Sequence, residues 1–513
     1  MPKPSTVEKT NRQRMRLEIR LRLMGVAALV ALQLPAAAFG EGELAEAVVN
    51  QREMIVTANP LASAAGAKIL KNGGTAADAM VAAQTVLGLV EPQASGLGGG
   101  AFVVYYDAAT GETTTFDARE KAPAAATEDR FLDEEGNSIG FRNAWQSGLS
   151  VGVPGTPRVM EVVHERYGRK PWPRLLQPAI SLAQSGFELT ERTSSQVAGL
   201  LARNTSCEDG ERLFFRDPVA FAYFVNPDDC TAKPAGTLIR NKDYADTLKA
   251  IRNGGADAFY VGPIAQDIAE AVQEDLAIPG DMTVDDLANY EVIERAPVCI
   301  EYRGHNVCGM GPPSSGALAV GQILGILENF DLGEDPLGEE AVHLFSQAGR
   351  LAFADRGLYV GDTDFVTVPI DGMLDKGYLA ERAALITDMD MGTAEPGEID
   401  GFDPYAPDPT AKTSGTSHIS IVDRYGNALS MTTTIESSFG NGVMVRGLLL
   451  NNELTDFSFA FEDGDGVPIA NRVQSNKRPR SSMSPTIVFN PDGEVELVTG
   501  SPGGSRIIGY TAQ

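Results

Sequence analysis

GTSHISIVDRYGNALSMTTTIESSFG, residues 415–440, reads as two strands joined by a turn. Residues 418–422 and 428–435 are rich in Ile, Val and Thr, and Arg424-Tyr425-Gly426-Asn427 between them has turn chemistry. The stretch before it, 388–414, is acidic, rich in Pro and Gly, and without periodicity, so a mobile linker is expected there. A linker of this kind running directly into a strand that begins with a hydroxyl residue, Thr416, is an unusual arrangement. A threonine hydroxyl is a weak nucleophile unless a base sits beside it, and no His-Asp partner is evident. One available base is the residue's own α-amine, freed by cutting the Gly415–Thr416 bond, with a reference pKa of about 7.7–8.0. The alternative is an ordinary threonine at the start of a strand. Texture alone leaves both open.

Upstream, residues 54–57 read as a short strand. Pro60 opens an Ala-rich helix to Leu70, stopped by Asn72-Gly73-Gly74. Thr75 caps a second helix over 76–90 that is apolar nearly all round and therefore buried. Residues 95–100 (SGLGGG) lead into a strand at 101–106. The triple glycine lacks GxxxxGK[ST] and precedes a strand rather than a helix, so it does not read as a phosphate loop. From about 155 to 380 the chain is mostly helical, with segments near 156–167, 172–185, 242–253, 264–275 and 339–356. Further strands are expected at 446–450, 485–489 and 494–498.

The 513 residues allow three domains at roughly 150 each, or one large fold. Hydrophobic residues at 43% and charged residues at 22% exclude a mainly disordered, collagen-like or multi-span membrane chain. A net charge of −27 makes nucleic acid a poor partner, because phosphates would be repelled. Residues 1–40 differ from the rest. Lys3, Lys9, Arg12, Arg14, Arg16, Arg20 and Arg22 oppose only Glu8 and Glu18; the apolar run LMGVAALVALQL (23–34) and small residues follow. This reads as a secretory signal peptide cleaved after Ala38 or Gly40, with an uncleaved anchor as the alternative. The remainder is expected to be soluble outside the cytoplasm, secreted or periplasmic, with no stable membrane span. Four cysteines fit that compartment. If Arg303-Gly304 is a two-residue hairpin turn, Cys299 and Cys308 face each other as a non-hydrogen-bonded pair suited to a disulfide. Cys207 and Cys230 would close a loop in a polar stretch; four inert thiols are the alternative. No CxxC occurs, and four scattered histidines give no metal-ligand spacing.

Many ordered motifs run through the chain. They include ANPLASAAGAKILKNGGTAADA (58–79), EPQASGLGGGAF (91–102), FDAREKAP (116–123), GVPG (152–155), PPSSG (312–316) and FADRGLYVGD (353–362). After GTSHISIVDRYGNALSMTTTIESSFG come LLNNELTDFS (449–458), NKRPRSSMSPT (476–486) and GSPGGSRI (500–507). From Met54 to Arg506 this resembles the γ-glutamyltranspeptidases (γ-glutamyltransferases, or glutathione hydrolases), self-cleaving N-terminal-nucleophile hydrolases. The resemblance implies an α+β fold, the four-layer αββα sandwich, and a precursor cut before Thr416. The parts would be a signal peptide at 1–40, a large subunit at 41–415 and a small catalytic subunit at 416–513, the two subunits staying together. It implies no cofactor and no metal. Substrates would be glutathione and other γ-glutamyl compounds, and acceptors water, amino acids or dipeptides. Family chains continue past the glycine pair, so this sequence is expected to be incomplete at its C-terminus.

Position by position, Thr416 resembles the processing site and nucleophile, and Thr434 the second threonine, whose hydroxyl bonds the nucleophile. Gly503 and Gly504 resemble the oxyanion-hole amides, a role that closely approaching glycine N–H groups suit. Arg119 and Ser481 resemble the grip on the substrate α-carboxylate, which a guanidinium matches in bidentate fashion. Glu453 and Asp456 resemble the acids that hold the α-ammonium, with Ser482 nearby. Glu436 stands where several members carry Asn. It would bind the amine directly, or like-charge repulsion would leave one acid protonated. The segment between Asp456 and Ser481 falls where some members have a lid loop. Other readings are a cephalosporin or glutaryl acylase on the same scaffold, and an inactive secreted binding homologue.

Overall fold

The computed structural model describes residues 52–203, 215–402, 405–409 and 415–513. The signal-peptide expectation for 1–40, and Cys207, lie outside the described residues. Ten strands build the frame of the site: β1 (Met54–Thr57), β2 (Gly100–Asp107), β3 (Glu112–Ala118), β4 (Ile293–Arg295), β5 (Val298–Tyr302), β6 (His305–Gly309), β7 (Thr416–Val422), β8 (Ala428–Thr434), β9 (Thr486–Phe489) and β10 (Val495–Thr499). They form two antiparallel sheets, one ordered β1-β7-β8-β2-β3-β4 and the other β10-β9-β6-β5. The β7–β8 hairpin lies at the centre of the first sheet, with Thr416 directly opposite Thr434 and Val422 opposite Ala428.

Helices cover the outer face of each sheet. Against the first lie α1 (Pro60–Lys71), α2 (Ala76–Val90), α3 (Trp172–Ser185) and α4 (Lys242–Gly254), with α2 in contact with β7 and β8. Against the second lie α5 (Gly316–Leu327) and α6 (Glu339–Tyr359), with α5 on β5 and β6. Between the sheets, Val104 and Ala428 meet Cys308, Ile487 and Phe489. The layering is thus helices, sheet, sheet, helices.

Local chemistry explains the elements nearest the site. Asn59 caps α1 by accepting from the Leu61 N–H, and Thr75 with Asp78 forms a capping box on α2. All fifteen residues of α2 are buried, as its apolar circumference requires. Truncating one of its large side chains, Leu87 for example, would cost about 2–5 kcal/mol. The glycines after α2 serve close approach: a Cβ on Gly99 would collide with the Thr434 carbonyl oxygen, and one on Gly98 with that of Leu449. Arg303 and Gly304 both have positive φ (50° and 84°), giving the two-residue turn that sets Cys299 opposite Cys308. Those two are disulfide-bonded with Cα atoms 4.1 Å apart, and Cys230 is also disulfide-bonded. Among the described residues, no helix is long and apolar enough to cross a membrane.

Two sequence expectations need correction. Residues 446–450 are not a strand. Two-residue strands at Met444–Val445 and Leu448–Leu449 flank a turn at Arg446 and Gly447, both with positive φ. The described parts of 388–414 are also tied down rather than free. Gly397 N–H donates to Asp355 and its carbonyl accepts from the Tyr359 hydroxyl, Ala406 N–H donates to the Pro468 carbonyl, and Asp408 receives Arg480 at 2.7 Å. Composition without periodicity signals the lack of a helix or strand, not the lack of partners.

Candidate active site

The β7–β8 pairing builds the reactive end of the site. Thr416 begins β7 and Thr434 ends β8, so their side chains emerge together where the ladder stops. In the continuous chain the Thr434 hydroxyl donates to the Gly415 carbonyl at 2.8 Å, and its oxygen accepts the Glu436 N–H at 2.8 Å. The Gly415 N–H donates to the Glu436 carbonyl. Glu436 therefore holds Gly415 through its backbone, directly at the N–H and, at the carbonyl, by way of the Thr434 hydroxyl. It does so at φ +70°, a left-handed conformation that a non-glycine residue holds only under constraint. The resemblance implies that Thr434 bonds the Thr416 hydroxyl; in the continuous chain its partner is the Gly415 carbonyl. A donor on that oxygen makes its carbon more electrophilic.

Thr416 and Thr434 open onto a cavity of about 340 Å³. Nine of the ten residues singled out from sequence line it: Thr416, Thr434, Gly504, Arg119, Glu436, Glu453, Asp456, Ser481 and Ser482. Gly503, at φ +138°, is next to Gly504 but is not part of the lining. The lining also includes Phe353, Arg356 and Arg480, none of which was expected. It passes from Asp456 to Arg480 with no residue of the intervening segment. That segment is anchored elsewhere; Phe459, for example, stacks on Phe131 at 4.6 Å.

Arg119 follows the end of β3 and is 1% exposed. Its backbone N–H donates to Asp117 at 3.0 Å, and its carbonyl accepts the Tyr290 hydroxyl at 2.8 Å. Its guanidinium donates to Glu453 and, at 2.5 Å, to Asp456, as well as to the Pro479 and Arg480 carbonyls at 3.1 Å each. Glu453 and Asp456 share one short 3₁₀ turn, which is why one fork reaches both. The expected carboxylate grip and the expected ammonium acids are therefore engaged with one another.

The acids are not equivalent. Burial, together with the charges of Asp456 and Glu453, holds the Glu436 carboxyl well above the usual carboxylate range. Its Oε2 accepts from Asn452 at 2.7 Å and from the Ser437 hydroxyl. Burial raises Glu453 to about 7 against the opposing pull of Arg119. Glu120, which the sequence did not single out, is fully buried beside Glu453 and is likewise held well above its ordinary value by burial and that neighbour. As bare carboxylates, both Glu120 oxygens and Glu453 Oε2 would lack hydrogen-bond partners, with Arg119 Nη1 3.8 Å from Glu120 Oε2. A proton on Glu120, donated to Glu453, removes that penalty. Of the two possibilities open for Glu436, the protonated acid is the one its surroundings favour.

Glu120 and Arg356 both lie inside motifs quoted above, DAREKAP and FADRGLYVGD. The signal that could have found Glu120 is its adjacency to Arg119. Nothing in the spacing marks Arg356, because α6 reaches the cavity only through the fold.

A family model for Gamma-glutamyltranspeptidase matches residues 62–513. The glutathione hydrolase proenzyme of Bacillus subtilis (strain 168) is 40% identical over 478 residues, 91% of this chain and 77% of that protein. The glutathione hydrolase proenzyme of Escherichia coli (strain K12) is 37% identical over 513 residues, 95% of this chain and 83% of that protein. Among solved structures, Helicobacter pylori gamma-glutamyltranspeptidase matches with a TM-score of 0.61 at 36% identity, covering 67% of this chain and 95% of that one. Cephalosporin acylase from Bacillus halodurans matches with a TM-score of 0.76 at 25% identity, covering 93% and 82%. With a family match over most of its length, and relatives this similar, the chain belongs to the gamma-glutamyltranspeptidase family.

Proposed function

We propose that this chain is a self-processing γ-glutamyl hydrolase and transferase. It cleaves its own Gly415–Thr416 bond, giving pieces 41–415 and 416–513, and then uses Thr416 as an N-terminal nucleophile. The observation that carries the reading is the Thr434 hydroxyl on the Gly415 carbonyl at 2.8 Å, with Thr416 directly opposite. Attack by Thr416 Oγ on that carbonyl converts the peptide to an ester. That shift breaks the Gly415–Thr416 C–N bond and frees the Thr416 α-amine; water then hydrolyses the ester, releasing the Gly415 carboxylate and restoring the Thr416 hydroxyl, with the α-amine as its general base. In turnover, Thr416 Oγ attacks the γ-amide of glutathione or a related donor, and Gly503 and Gly504 N–H groups receive the oxyanion. The γ-glutamyl ester passes to water or to the amine of an amino acid or dipeptide. Ser481, Ser482 and Arg119 serve the α-carboxylate, and Glu453 and Asp456 the α-ammonium, with Glu436 beside them. The basic, apolar and small-residue order of 1–40 supports export, to the periplasm or beyond.

The structural likeness to a cephalosporin acylase favours a second reading, cleavage of glutaryl amides. Asp456 and Glu453 argue against it, because a glutaryl group has no ammonium to offer them. The test is a gel of purified protein followed by N-terminal sequencing, then assay on γ-glutamyl and glutaryl anilides. Two bands, with the smaller starting at Thr416 and with γ-glutamyl cleavage dominant, is the expected result. A single band with no turnover would instead favour an inactive binding homologue.

A further inference from the structure

The cavity contains a second guanidinium with no role in the reading so far. Arg356 sits in the last turn of α6 and lines the cavity. Its Nη2 donates to Ser482 Oγ and its Nε to Ser315 Oγ, both at 2.7 Å. Ser315 Oγ in turn donates to the Ser481 carbonyl at 2.6 Å, and Ser481 Oγ accepts the Met483 N–H at 3.1 Å. A hydroxyl has one hydrogen to give. With an N–H already pointing at each oxygen, Ser481 and Ser482 are left to donate, and the pair suits a ligand group that only accepts. A carboxylate is such a group.

The charges point the same way. Arg119 is matched by Glu453 and Asp456, and Arg480 by Asp408 at 2.7 Å. Among the described residues, Arg356 forms no ion pair with a carboxylate; its bonds go to neutral serines. Burial and the neighbouring Arg480 cation push it down to about 9, outweighing the opposing pull of Asp456 and Asp408.

We propose that Arg356 is a positioning residue for the substrate α-carboxylate: it fixes the Ser482 hydroxyl as a donor and adds the positive charge that Arg119, engaged by two acids, shares out elsewhere. The inference rests on the γ-glutamyl reading of the same cavity. It assigns carboxylate recognition to a helix distant in sequence from the other residues, and makes Arg119 in part the organiser of the acids.

The test compares two donors that differ only in the α-carboxylate, γ-glutamyl-para-nitroanilide and 4-aminobutyryl-para-nitroanilide. Arg356→Gln should lower kcat/KM for the first by roughly tenfold to a hundredfold while the second stays within about twofold, the range for a lost bond to a charged group. Arg356→Lys, which keeps the charge, should recover part of the loss. Equal loss on both donors, or no loss on either, overturns the proposal. Calorimetric binding of L-glutamate and 4-aminobutyrate to wild type and both variants decides the matter without turnover. A glutamate preference that disappears in Arg356→Gln supports the proposal, and one that survives overturns it. If wild type cleaves no γ-glutamyl anilide, the enzymatic reading fails, and the binding comparison still judges Arg356.

Discussion

The strand pair that presents Thr416 and Thr434 and the cluster of acids around Arg119 are held by different forces. The strand pair is fixed by main-chain register, seven residue pairs deep, with a neighbouring strand on either side. The acid cluster is fixed by side-chain charge: one buried guanidinium reaches two carboxylates from a short 3₁₀ turn, while burial and like charge push two further carboxyls nearby toward their neutral form. Backbone register tolerates side-chain replacement, because a ladder does not depend on which hydroxyl it carries. A buried charge cluster does not, because removing one partner strands the others. Chemistry and recognition should therefore fail separately when probed.

The largest effect tests the strand pair. Thr416→Ala should remove self-cleavage and turnover together, giving one band on a denaturing gel with an unchanged melting temperature. A variant that still splits at 415–416 would detach the nucleophile from the hairpin. Thr434→Ala comes next. It keeps the ladder and loses the donor on the Gly415 carbonyl, so self-cleavage should slow by about a hundredfold, the scale of one lost oxyanion donor; a gel time course reads it. On the recognition side, wild type should prefer γ-glutamyl to glutaryl anilide by at least about a hundredfold in kcat/KM, because the glutaryl group leaves buried acids without their ammonium. Asp456→Asn should narrow that ratio without affecting self-cleavage. Equal rates on the two anilides would promote the acylase reading.

Arg119→Lys should raise KM by about tenfold, since a point charge cannot span Glu453 and Asp456 as a planar fork does. Unchanged kinetics would remove Arg119 from the cluster. The smallest effect is a pH dependence. The folded-state pKa of Glu453, about 7, lies above its ordinary 4.5. Between those values the folded protein holds a proton that the unfolded chain has lost. The stability Glu453 contributes is therefore fully present below about 4.5 and disappears as pH rises through about 7. Ammonium binding needs the ionised form, so KM for the γ-glutamyl donor should fall over the same interval. Melting temperature and KM measured from pH 5 to 8 should thus decline together; a KM that rises instead would assign ammonium binding to Asp456 alone.

The difference between the two regions also governs what was readable in sequence. The hairpin was legible because β-prone residues on either side of Arg424-Tyr425-Gly426-Asn427 leave few alternatives. The buried helix 76–90 was legible because it is apolar on every face and capped at Thr75. The cavity residues came from matched motifs, and their mutual contacts were not readable. That Arg119 would be engaged by its neighbouring acids depends on where a 3₁₀ turn falls against the end of β3, and no spacing encodes that. Glu120 is chemically ordinary on paper; only full burial beside Glu453 changes its protonation. The strand expected at 446–450 failed for a local reason: Arg446-Gly447 turns with positive φ, which apolar neighbours conceal.

The strand order has one further consequence. β7 and β8 lie between β1 and β2, and β9 pairs with β6, so a break at 415–416 would leave each sheet woven from both pieces of chain. Such a molecule can be nicked but not unzipped. Parting the fragments would mean tearing three ladders along with the core between the sheets, a cost close to that of unfolding outright. The new amino end at Thr416 would emerge from a strand paired with β8 as far as Thr416 itself and with β1 as far as Ile419. Separated, one piece keeps β2-β3-β4 and β5-β6 and the other β7-β8 and β9-β10, each an incomplete sheet, so mixing separately refolded halves should give no active protein.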